Sequence, residues 1–142
     1  MVIEYVGELV RPAVADVREV RLYDAAVGAG TYVFRMGADT CVDATRAGNL
    51  AHLLNHSCEP NCYSRTITLA ADGARTDHVV IFAARALRVG EELTYDYRFC
   101  GAEALPCSCS AAACRGTVNE QLGGGGGGEL WVPRAAVQPY LP

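Results

Sequence analysis

Lysine is absent from this 142-residue chain: all 12 of its basic residues are arginines, against 16 acidic residues. The net charge of −4 argues against a general affinity for nucleic-acid backbones and is compatible with a basic partner. No apolar run approaches the length of about 20 residues that crosses a bilayer, and no secretion signal opens the chain. We therefore expect one soluble, intracellular domain that binds neither membranes nor nucleic acid directly.

Cysteine, in contrast, is abundant. Seven cysteines without a secretion signal favour metal binding over a disulfide framework. Three of them, Cys107, Cys109 and Cys114, follow one another closely in "PCSCSAAACRG". A closed structural zinc site needs four ligands, so the fourth comes from elsewhere, and Cys58 and Cys62 are both candidates. A redox role is less favoured, because the C-x-x-C spacing of dithiol exchange is missing.

The pattern of apolar residues predicts a mostly β protein of short strands with little helix. The strand-like stretches are residues 1–10 and 31–36, a hairpin over 62–87 that turns at Asp72-Gly73, and "ELTYDY" after Gly90. Two stretches have weaker helical spacing: residues 13–25 and "ATRAGNLAHLLNHS", which ends before Pro60.

The last twenty residues differ in character from the rest. Six consecutive glycines lead into "ELWVPRAAVQPYLP", which predicts a disordered tail over 123–142. A glycine run holds phosphate where it joins a strand to a helix, and no helical pattern follows here. A short docking peptide around Trp131 stays open as an alternative.

Two further stretches contain residues that could be catalytic. "ELTYDY" places Tyr95 and Tyr97 on one face of a strand, because side chains alternate, and on this stretch alone a pair of half-buried packing tyrosines is the favoured interpretation. In "NHSCEPNC", His56 lies close to Cys58. A Cys-His nucleophile pair is disfavoured there, because catalytic partners usually meet from distant segments.

Taken together, "NHSCEPN", "GEELTYDY", "CSCSAAAC" and "RGTVN" resemble the catalytic SET domain of protein lysine methyltransferases with its zinc-binding post-SET tail. The similarity is strongest to the trithorax/MLL/Set1 branch, the histone H3 lysine-4 methyltransferases. This resemblance implies a SET-domain fold in which a pseudoknot brings "NHSC" and "ELTYDY" together. It also implies a SET domain over 1–100, a post-SET segment over 101–122 and the tail over 123–142.

The resemblance also implies individual roles. Tyr97 corresponds to the catalytic tyrosine, and Tyr95 occupies the position at which the family chooses between Tyr and Phe. The implied zinc ligands are Cys58, Cys107, Cys109 and Cys114. The implied contacts to S-adenosylmethionine are Tyr32, Asn55, His56 and Ser108. Cys62 and Cys100 are then ordinary thiols.

The sequence departs from the family in two ways. The G-x-G cofactor loop of the family precedes the strand at which this chain begins, so we expect an N-terminally truncated SET domain. His52 stands where the family usually has arginine, and Leu53-Leu54 replace an aromatic-aliphatic pair. A catalytically inactive zinc-binding chromatin interaction module, or a truncated fragment, is therefore the alternative hypothesis.

The partners and the location of the protein are likewise implied by the resemblance. They are the tail of histone H3, a multi-subunit complex with a WD-repeat scaffold, and the nucleus. The acidic balance suits a substrate rich in lysine and arginine.

Overall fold

The structure is a computed structural model that describes residues 1–23, 32–99 and 104–120. Their strands are β1 Ile3–Tyr5, β2 Glu8–Val10, β3 Val33–Arg35, β4 Cys41–Asp43, β5 Asn55–His56, β6 Cys62–Ala71, β7 Ala74–Ala83 and β8 Thr94–Tyr95. Helix α1 covers Pro12–Arg18 and continues as a π-helical turn, Glu19–Tyr23; a 3₁₀ turn covers Leu50–Leu53. The predicted mostly β class is confirmed. None of the described helices is long and apolar enough to span a membrane.

Two of the earlier predictions lie outside the described residues, namely the tail over 123–142 and the ordinary thiol of Cys100. The short helix predicted over 13–25 corresponds to α1 and its π-helical turn.

The strands form three small sheets with the orders β1-β7-β6, β2-β4-β3 and β5-β8. The first two sheets are antiparallel, and the third is a parallel pair. The hairpin predicted at Asp72-Gly73 is confirmed, with φ angles of 52° and 79° at these two residues. Two consecutive left-handed residues fit the tight hairpin turn that matches the twist of the strands.

The core has two clusters that together place the functional strand β8. One is built around Tyr5, Val42 and Val79, which come from β1, β4 and β7. The other contains Ile81 and Tyr95, and Tyr95 is 7% exposed. Strand β8 is therefore anchored in the core by its own tyrosine.

The helix predicted in "ATRAGNLAHLLNHS" is wrong beyond a single 3₁₀ turn, Leu50–Leu53. Asn49 fixes the start of this turn, because its side chain accepts the N–H of Ala51 at 3.1 Å and donates to the Glu4 carbonyl at 2.8 Å. The chain then becomes extended to form β5, Asn55–His56. Pairing with a distant strand has overridden the local helical spacing.

A buried carboxylate, Asp43, joins β4 to α1 and the turn after it. Asp43 is fully buried, and its Oδ2 accepts hydrogen bonds from Tyr23 Oη and Arg18 Nη1, each 2.7 Å long. Its Oδ1 accepts the N–H of Thr45 at 3.0 Å. Burial by itself raises the pKa of Asp43, but the hydrogen bonds outweigh burial and hold that pKa below its ordinary value.

We expect Asp43→Asn to lower the free energy of unfolding by about 2 kcal/mol near neutral pH, because a neutral amide replaces the acceptor of a charged hydrogen bond from Arg18. The folded pKa is below the unfolded value of about 3.9. The stabilisation is therefore fully present above that value and is lost as the pH falls through the folded pKa.

Urea unfolding measures this effect at two pH values, one near neutral and one well below the ordinary pKa of a carboxyl group. The difference between Asp43→Asn and the wild type should shrink in acid. Asp39→Asn, in the exposed turn after β3, is the matched control and should have little effect at either pH. A difference that stays constant across the two conditions would contradict the account.

Candidate functional site

The parallel pair of β5 and β8 forms the centre of the candidate site. Asn55 is paired with Thr94 and His56 with Tyr95, and the N–H of Ser57 donates to the carbonyl of Tyr95 at 3.2 Å. The "NHSC" and "ELTYDY" motifs therefore meet, as the resemblance implies. Parallel strands need a long connection, and the β6–β7 hairpin supplies it. The pseudoknot threading itself stays a prediction.

The buried Asn61, which the sequence analysis did not single out, joins the segment after β5 to the loop before β8. Asn61 Nδ2 donates to the Glu92 carbonyl at 2.7 Å and to Glu91 Oε1 at 2.9 Å, while its Oδ1 accepts the N–H of Thr94 at 2.9 Å. Asn55, exposed on β5, donates to Glu92 Oε1 at 2.8 Å. The loop after Gly90 is thus fixed at several points before β8 begins.

The two tyrosines of "ELTYDY" are in contact. The ring centroids of Tyr95 and Tyr97 lie 4.8 Å apart at an interplanar angle of 50°. Tyr97 Oη donates to the carbonyl of Leu54 at 2.7 Å, which fixes its direction and leaves the oxygen lone pairs as acceptors. Burial raises the pKa of Tyr95, so its hydroxyl stays neutral. Two hydroxyls, one buried and one oriented by main chain, are available beside β5.

His56 connects the tyrosines to the cysteines. Its Nδ1 accepts the N–H of Tyr97 at 3.1 Å, so the hydrogen-bond network places the ring proton on Nε2, which lies 3.5 Å from Cys58 Sγ. Burial lowers the pKa of His56, although the nearby Asp96 carboxylate opposes the shift. In this neutral ring the Nε2–H faces Cys58 Sγ, so His56 can support that sulfur as a hydrogen-bond donor.

The four cysteines implied as zinc ligands are brought together. The Sγ atoms of Cys58, Cys107, Cys109 and Cys114 all lie within 4.8 Å of one another. Cys58 Sγ is 3.7 Å from that of Cys107 and 4.0 Å from that of Cys114. A tetrahedral zinc ion with Zn–S bonds of about 2.3 Å separates its sulfurs by about 3.8 Å, so the donor set fits. Cys62 is 1% exposed in the core, outside this cluster.

Main-chain amides support negative charge on these sulfurs. The N–H of Cys58 donates to Cys109 Sγ at 3.5 Å, and the N–H of Gly116 donates to Cys114 Sγ at 3.4 Å. Burial alone raises the pKa of Cys109, but main-chain and thiol hydrogen bonds outweigh it and lower that pKa to about 6. Burial raises the pKa of Cys107 to about 12 and also raises that of Cys58. Cys109 is therefore the sulfur that favours the thiolate form, and binding of a metal would release protons from Cys58 and Cys107.

An ion pair that the sequence analysis missed joins the cysteine loop to β8. Arg115 Nη1 lies 2.8 Å from Asp96 Oδ2, and its Nη2 lies 2.8 Å from Asp96 Oδ1. Burial by itself raises the pKa of Asp96, but Arg115 outweighs it and keeps that pKa low. The signal lay in the quoted motifs, since Asp96 separates the two tyrosines and Arg115 opens "RGTVN", but nothing in their spacing predicts the contact.

Tyr32 and Ser108, the other two residues implied as cofactor contacts, lie at the edges of the group formed by the tyrosines, His56 and the cysteines. The Tyr32 ring packs against His52 with centroids 4.7 Å apart, and Phe34, two residues further on, stacks on Tyr95 at 6.5 Å. Ser108 is exposed on the cysteine loop. The structure thus groups Asn55, His56, both tyrosines and the cysteines closely. Tyr32 is connected to Phe34 through Tyr5, whose Oη donates to the Tyr32 carbonyl at 2.8 Å and whose ring centroid lies 5.5 Å from that of Phe34.

Known proteins of similar sequence identify the family of this chain. The family model described as "SET domain" matches residues 1–98. Histone-lysine N-methyltransferase TRX1 of Oryza sativa subsp. japonica is 52% identical over 136 residues, which cover 95% of this chain and 13% of that protein. Histone H3-lysine(4) N-trimethyltransferase ATX1 of Arabidopsis thaliana is 53% identical over 135 residues, covering 94% of this chain and 12% of that protein.

A relative from an animal is similar over a shorter part. Histone-lysine N-methyltransferase SETD1 of Drosophila melanogaster is 47% identical over 120 residues, which cover 84% of this chain and 7% of that protein. The chain thus spans 13% or less of the length of these three relatives. The match to the family model extends over more than half of the chain, and the resemblance found in the motifs is confirmed: the chain belongs to the SET-domain family.

Proposed function

We propose that this domain transfers a methyl group from S-adenosylmethionine to a lysine amine of a histone tail, and specifically to lysine 4 of histone H3. The observation that carries the proposal is the contact of Tyr95 and Tyr97 with the Asn55–His56 strand. The lysine-4 target follows the name of the ATX1 relative. Support for an enzyme also comes from the histone-lysine N-methyltransferase names of all three relatives.

The residues around Tyr97 suit a sulfonium cofactor. The ring of Tyr97 meets the rings of His56 and Phe99 edge-on, at centroid distances of 5.3 Å and 5.5 Å. Aromatic rings favour a nearby cation, and the carbonyl of Leu54 is a further acceptor at this point. We propose Tyr32, Asn55, His56 and Ser108 as the residues that contact the cofactor.

The chemistry requires a neutral amine. S-adenosylmethionine, when bound, supplies a methyl group on a positively charged sulfur. The amine lone pair forms the new N–C bond, the C–S bond breaks, and its electron pair stays on sulfur, giving S-adenosylhomocysteine. A free lysine has a pKa of about 10.4, so deprotonation at neutral pH costs roughly 4 kcal/mol. Burial of the amine beside Tyr95, which is shielded from solvent, would remove the water that stabilises the charged ammonium and so reduce this cost.

The tyrosines act by alignment. We propose that Tyr97 Oη, oriented by the carbonyl of Leu54, accepts a hydrogen bond from the amine and holds it in line with the methyl group. Main-chain carbonyls add weak C–H···O contacts to the methyl hydrogens. Holding the reacting atoms at attack distance accounts for most of the expected acceleration, and the proton released by the product amine passes to water.

Two measurements on the zinc-loaded protein test the proposal. Calorimetry with S-adenosylmethionine should show one-to-one binding, and mass spectrometry of a histone H3 tail peptide should show added methyl groups. The matched control is the same peptide with lysine 4 replaced by arginine, which should stay unmodified. Absence of both binding and transfer would instead favour the zinc-binding chromatin interaction module.

We expect Tyr95→Phe to increase di- and trimethylated product several-fold relative to monomethylated product. The Tyr95 hydroxyl is buried beside Tyr97, where it takes space and tethers the amine, so the intact domain should stop mainly at one methyl group. The ATX1 relative is named a trimethyltransferase, so a domain that stops mainly at one methyl group would differ from that relative in its product. Mass spectrometry of the peptide over time measures it, with Tyr63→Phe on exposed β6 as the control. An unchanged product ratio would contradict this role for Tyr95.

The metal, the domain limits and the surroundings complete the proposal. We propose that zinc is held by the four cysteines of the cluster, and that residues 1–100, 101–122 and 123–142 are the SET domain, the post-SET segment and a disordered tail. The histone-lysine N-methyltransferase names of the relatives support action on chromatin in the nucleus. A multi-subunit complex with a WD-repeat scaffold is the proposed setting for full activity.

A further inference from the structure

The ion pair between Asp96 and Arg115 has the geometry of a rigid connector. Both of its N···O distances are 2.8 Å, and the side chains are 18% and 22% exposed. Two parallel hydrogen bonds between a guanidinium and a carboxylate fix orientation as well as distance. Asp96 lies between Tyr95 and Tyr97 in the chain, so this geometry bears directly on the position of both tyrosines.

Arg115 also belongs to the cysteine loop. It directly follows Cys114, and its main-chain N–H donates to Cys58 Sγ at 3.4 Å. One residue therefore contacts the proposed metal site through its backbone and the tyrosine-bearing strand through its side chain.

The same carboxylate supports the bend that follows the strand. Asp96 Oδ1 accepts the N–H of Arg98 at 3.3 Å, and Arg98 has a left-handed backbone with φ of 50°. That conformation is disfavoured for residues other than glycine, so a hydrogen bond at this point helps to hold it. Asp96 Oδ1 also lies 3.6 Å from His56 Nδ1, the acceptor of the Tyr97 N–H.

We propose that the Asp96–Arg115 ion pair is a positioning element, through which metal binding at the cysteine loop fixes the Tyr95–Tyr97 pair. When the four thiols hold an ion, the backbone of Arg115 is fixed between Cys114 and Cys58. Its guanidinium then holds the strand at Asp96. The consequence for methyl transfer rests on the proposed function, whereas the connection between loop and strand does not.

Other contacts keep the loop attached when the ion pair is removed. The N–H of Phe99 donates to the Val118 carbonyl at 3.3 Å, and the N–H of Glu120 donates to the Phe99 carbonyl at 3.0 Å. Glu59 Oε2 accepts the N–H of Ala113 at 3.2 Å. Variants at Asp96 and Arg115 are therefore expected to fold and to retain all four cysteine ligands.

Hydrogen exchange with mass spectrometry tests the connection without any reaction. In the wild type, peptides covering residues 93–99 should exchange more slowly with zinc than after chelation. In zinc-loaded Arg115→Gln they should lose most of this protection, except at the Phe99 amide that the Val118 carbonyl still holds, with zinc still at one per chain. Wild-type protection in zinc-loaded Arg115→Gln would overturn the proposal. Loss of zinc from Arg115→Gln would also overturn it, since Arg115 would then act on the metal site alone.

Kinetics of a double-mutant cycle test the consequence for catalysis. Asp96→Asn and Arg115→Gln should each lower kcat by about 10- to 100-fold, with little change in the KM for the peptide. The double variant should be no worse than the poorer single variant, because both remove one interaction. Arg115→Lys retains the charge without the fork geometry and should recover part of kcat. Additive losses in the cycle would overturn the proposal.

Glu59→Gln is the matched control. It removes a carboxylate that holds the same loop but does not reach β8, so kcat and the protection of residues 93–99 should stay unchanged. If the wild type transfers no methyl group while its exchange depends on zinc and Arg115, the proposed function fails and the positioning role stands. If methyl transfer occurs and Arg115→Gln exchanges like the wild type, the positioning role fails and the proposed function stands.

Discussion

Tyr97→Phe should lower kcat for methyl transfer by about 100-fold or more, while the fold and zinc content stay those of the wild type. The phenylalanine ring keeps the edge contacts to His56 and Phe99 but lacks the hydroxyl. The hydroxyl that the Leu54 carbonyl orients is then missing. The amine therefore loses the group that holds it in line with the methyl group. The loss should therefore appear in kcat more than in the affinity for S-adenosylmethionine.

The expected loss of activity is too large to come from reduced stability. Tyr97→Phe removes one hydrogen bond to a main-chain carbonyl, which costs about 1 kcal/mol of folding free energy. A domain with about 5–15 kcal/mol of stability stays almost fully folded after such a change. A 100-fold decrease must therefore come from the reaction itself.

Single-turnover kinetics together with thermal unfolding separate these two effects. The matched control is Tyr63→Phe, which removes a tyrosine hydroxyl on exposed β6, where the ring stacks on Phe82. It should leave kcat unchanged. If Tyr97→Phe retained kcat within about three-fold of the wild type, Tyr97 would be a packing residue and the catalytic assignment would fail.

Local patterns predicted the parts of the fold that local chemistry decides. The hairpin was predictable because Asp72-Gly73 supplies two residues that tolerate a left-handed backbone between strands rich in β-branched residues. The clustering of Cys107, Cys109 and Cys114 on one loop was equally visible, because those residues lie within eight positions of the chain.

Contacts between distant segments could not be predicted from spacing. The pairing of His56 with Tyr95 joins strands separated by a complete hairpin, and it came from the family resemblance alone. The Asp96–Arg115 ion pair was missed altogether. Both depend on which elements the chain brings together, and this information is carried by the whole fold rather than by a local period.

The wrongly predicted helix shows that contacts between distant segments can also override a local pattern. Leu50 and Leu53 have helical spacing but are 72% and 56% exposed, so they do not form a buried helical face. The pairing of β5 with β8 requires an extended chain from Asn55 onward. Tertiary contacts often override local propensity, and here they do so at the point where the candidate site is built.

Replacing Cys58, one of the four proposed zinc ligands, should have the other large effect. We expect Cys58→Ser to lose the bound zinc and to reduce methyl transfer by about 100-fold or more, with much less effect on the core sheets. The physical reason is the weak packing of the cysteine loop. None of the residues 104–120 is buried, so burial of apolar side chains contributes little to holding this segment in place.

Zinc can supply what packing does not. Binding of a structural zinc ion by thiolates is worth about 10–16 kcal/mol near neutral pH, far more than the few hydrogen bonds between this loop and the rest of the domain. Loss of the ion should release Ser108 and Arg115 together with the loop. The proposed cofactor contact of Ser108 and the proposed support of the tyrosine strand by Arg115 would then be lost in one step.

Three measurements check this prediction: zinc per chain by elemental analysis, proteolysis within residues 104–120, and methyl transfer. Cys62→Ala is the matched control, because Cys62 is a buried core thiol outside the cluster. It should retain one zinc per chain and an intact loop, although a small cavity lowers its stability. Cys58→Ser should lose the zinc and become sensitive to protease in the loop. If Cys58→Ser kept a full zinc equivalent while Cys62→Ala lost it, the fourth ligand would be Cys62, and the thiol cluster described above would not be the metal site.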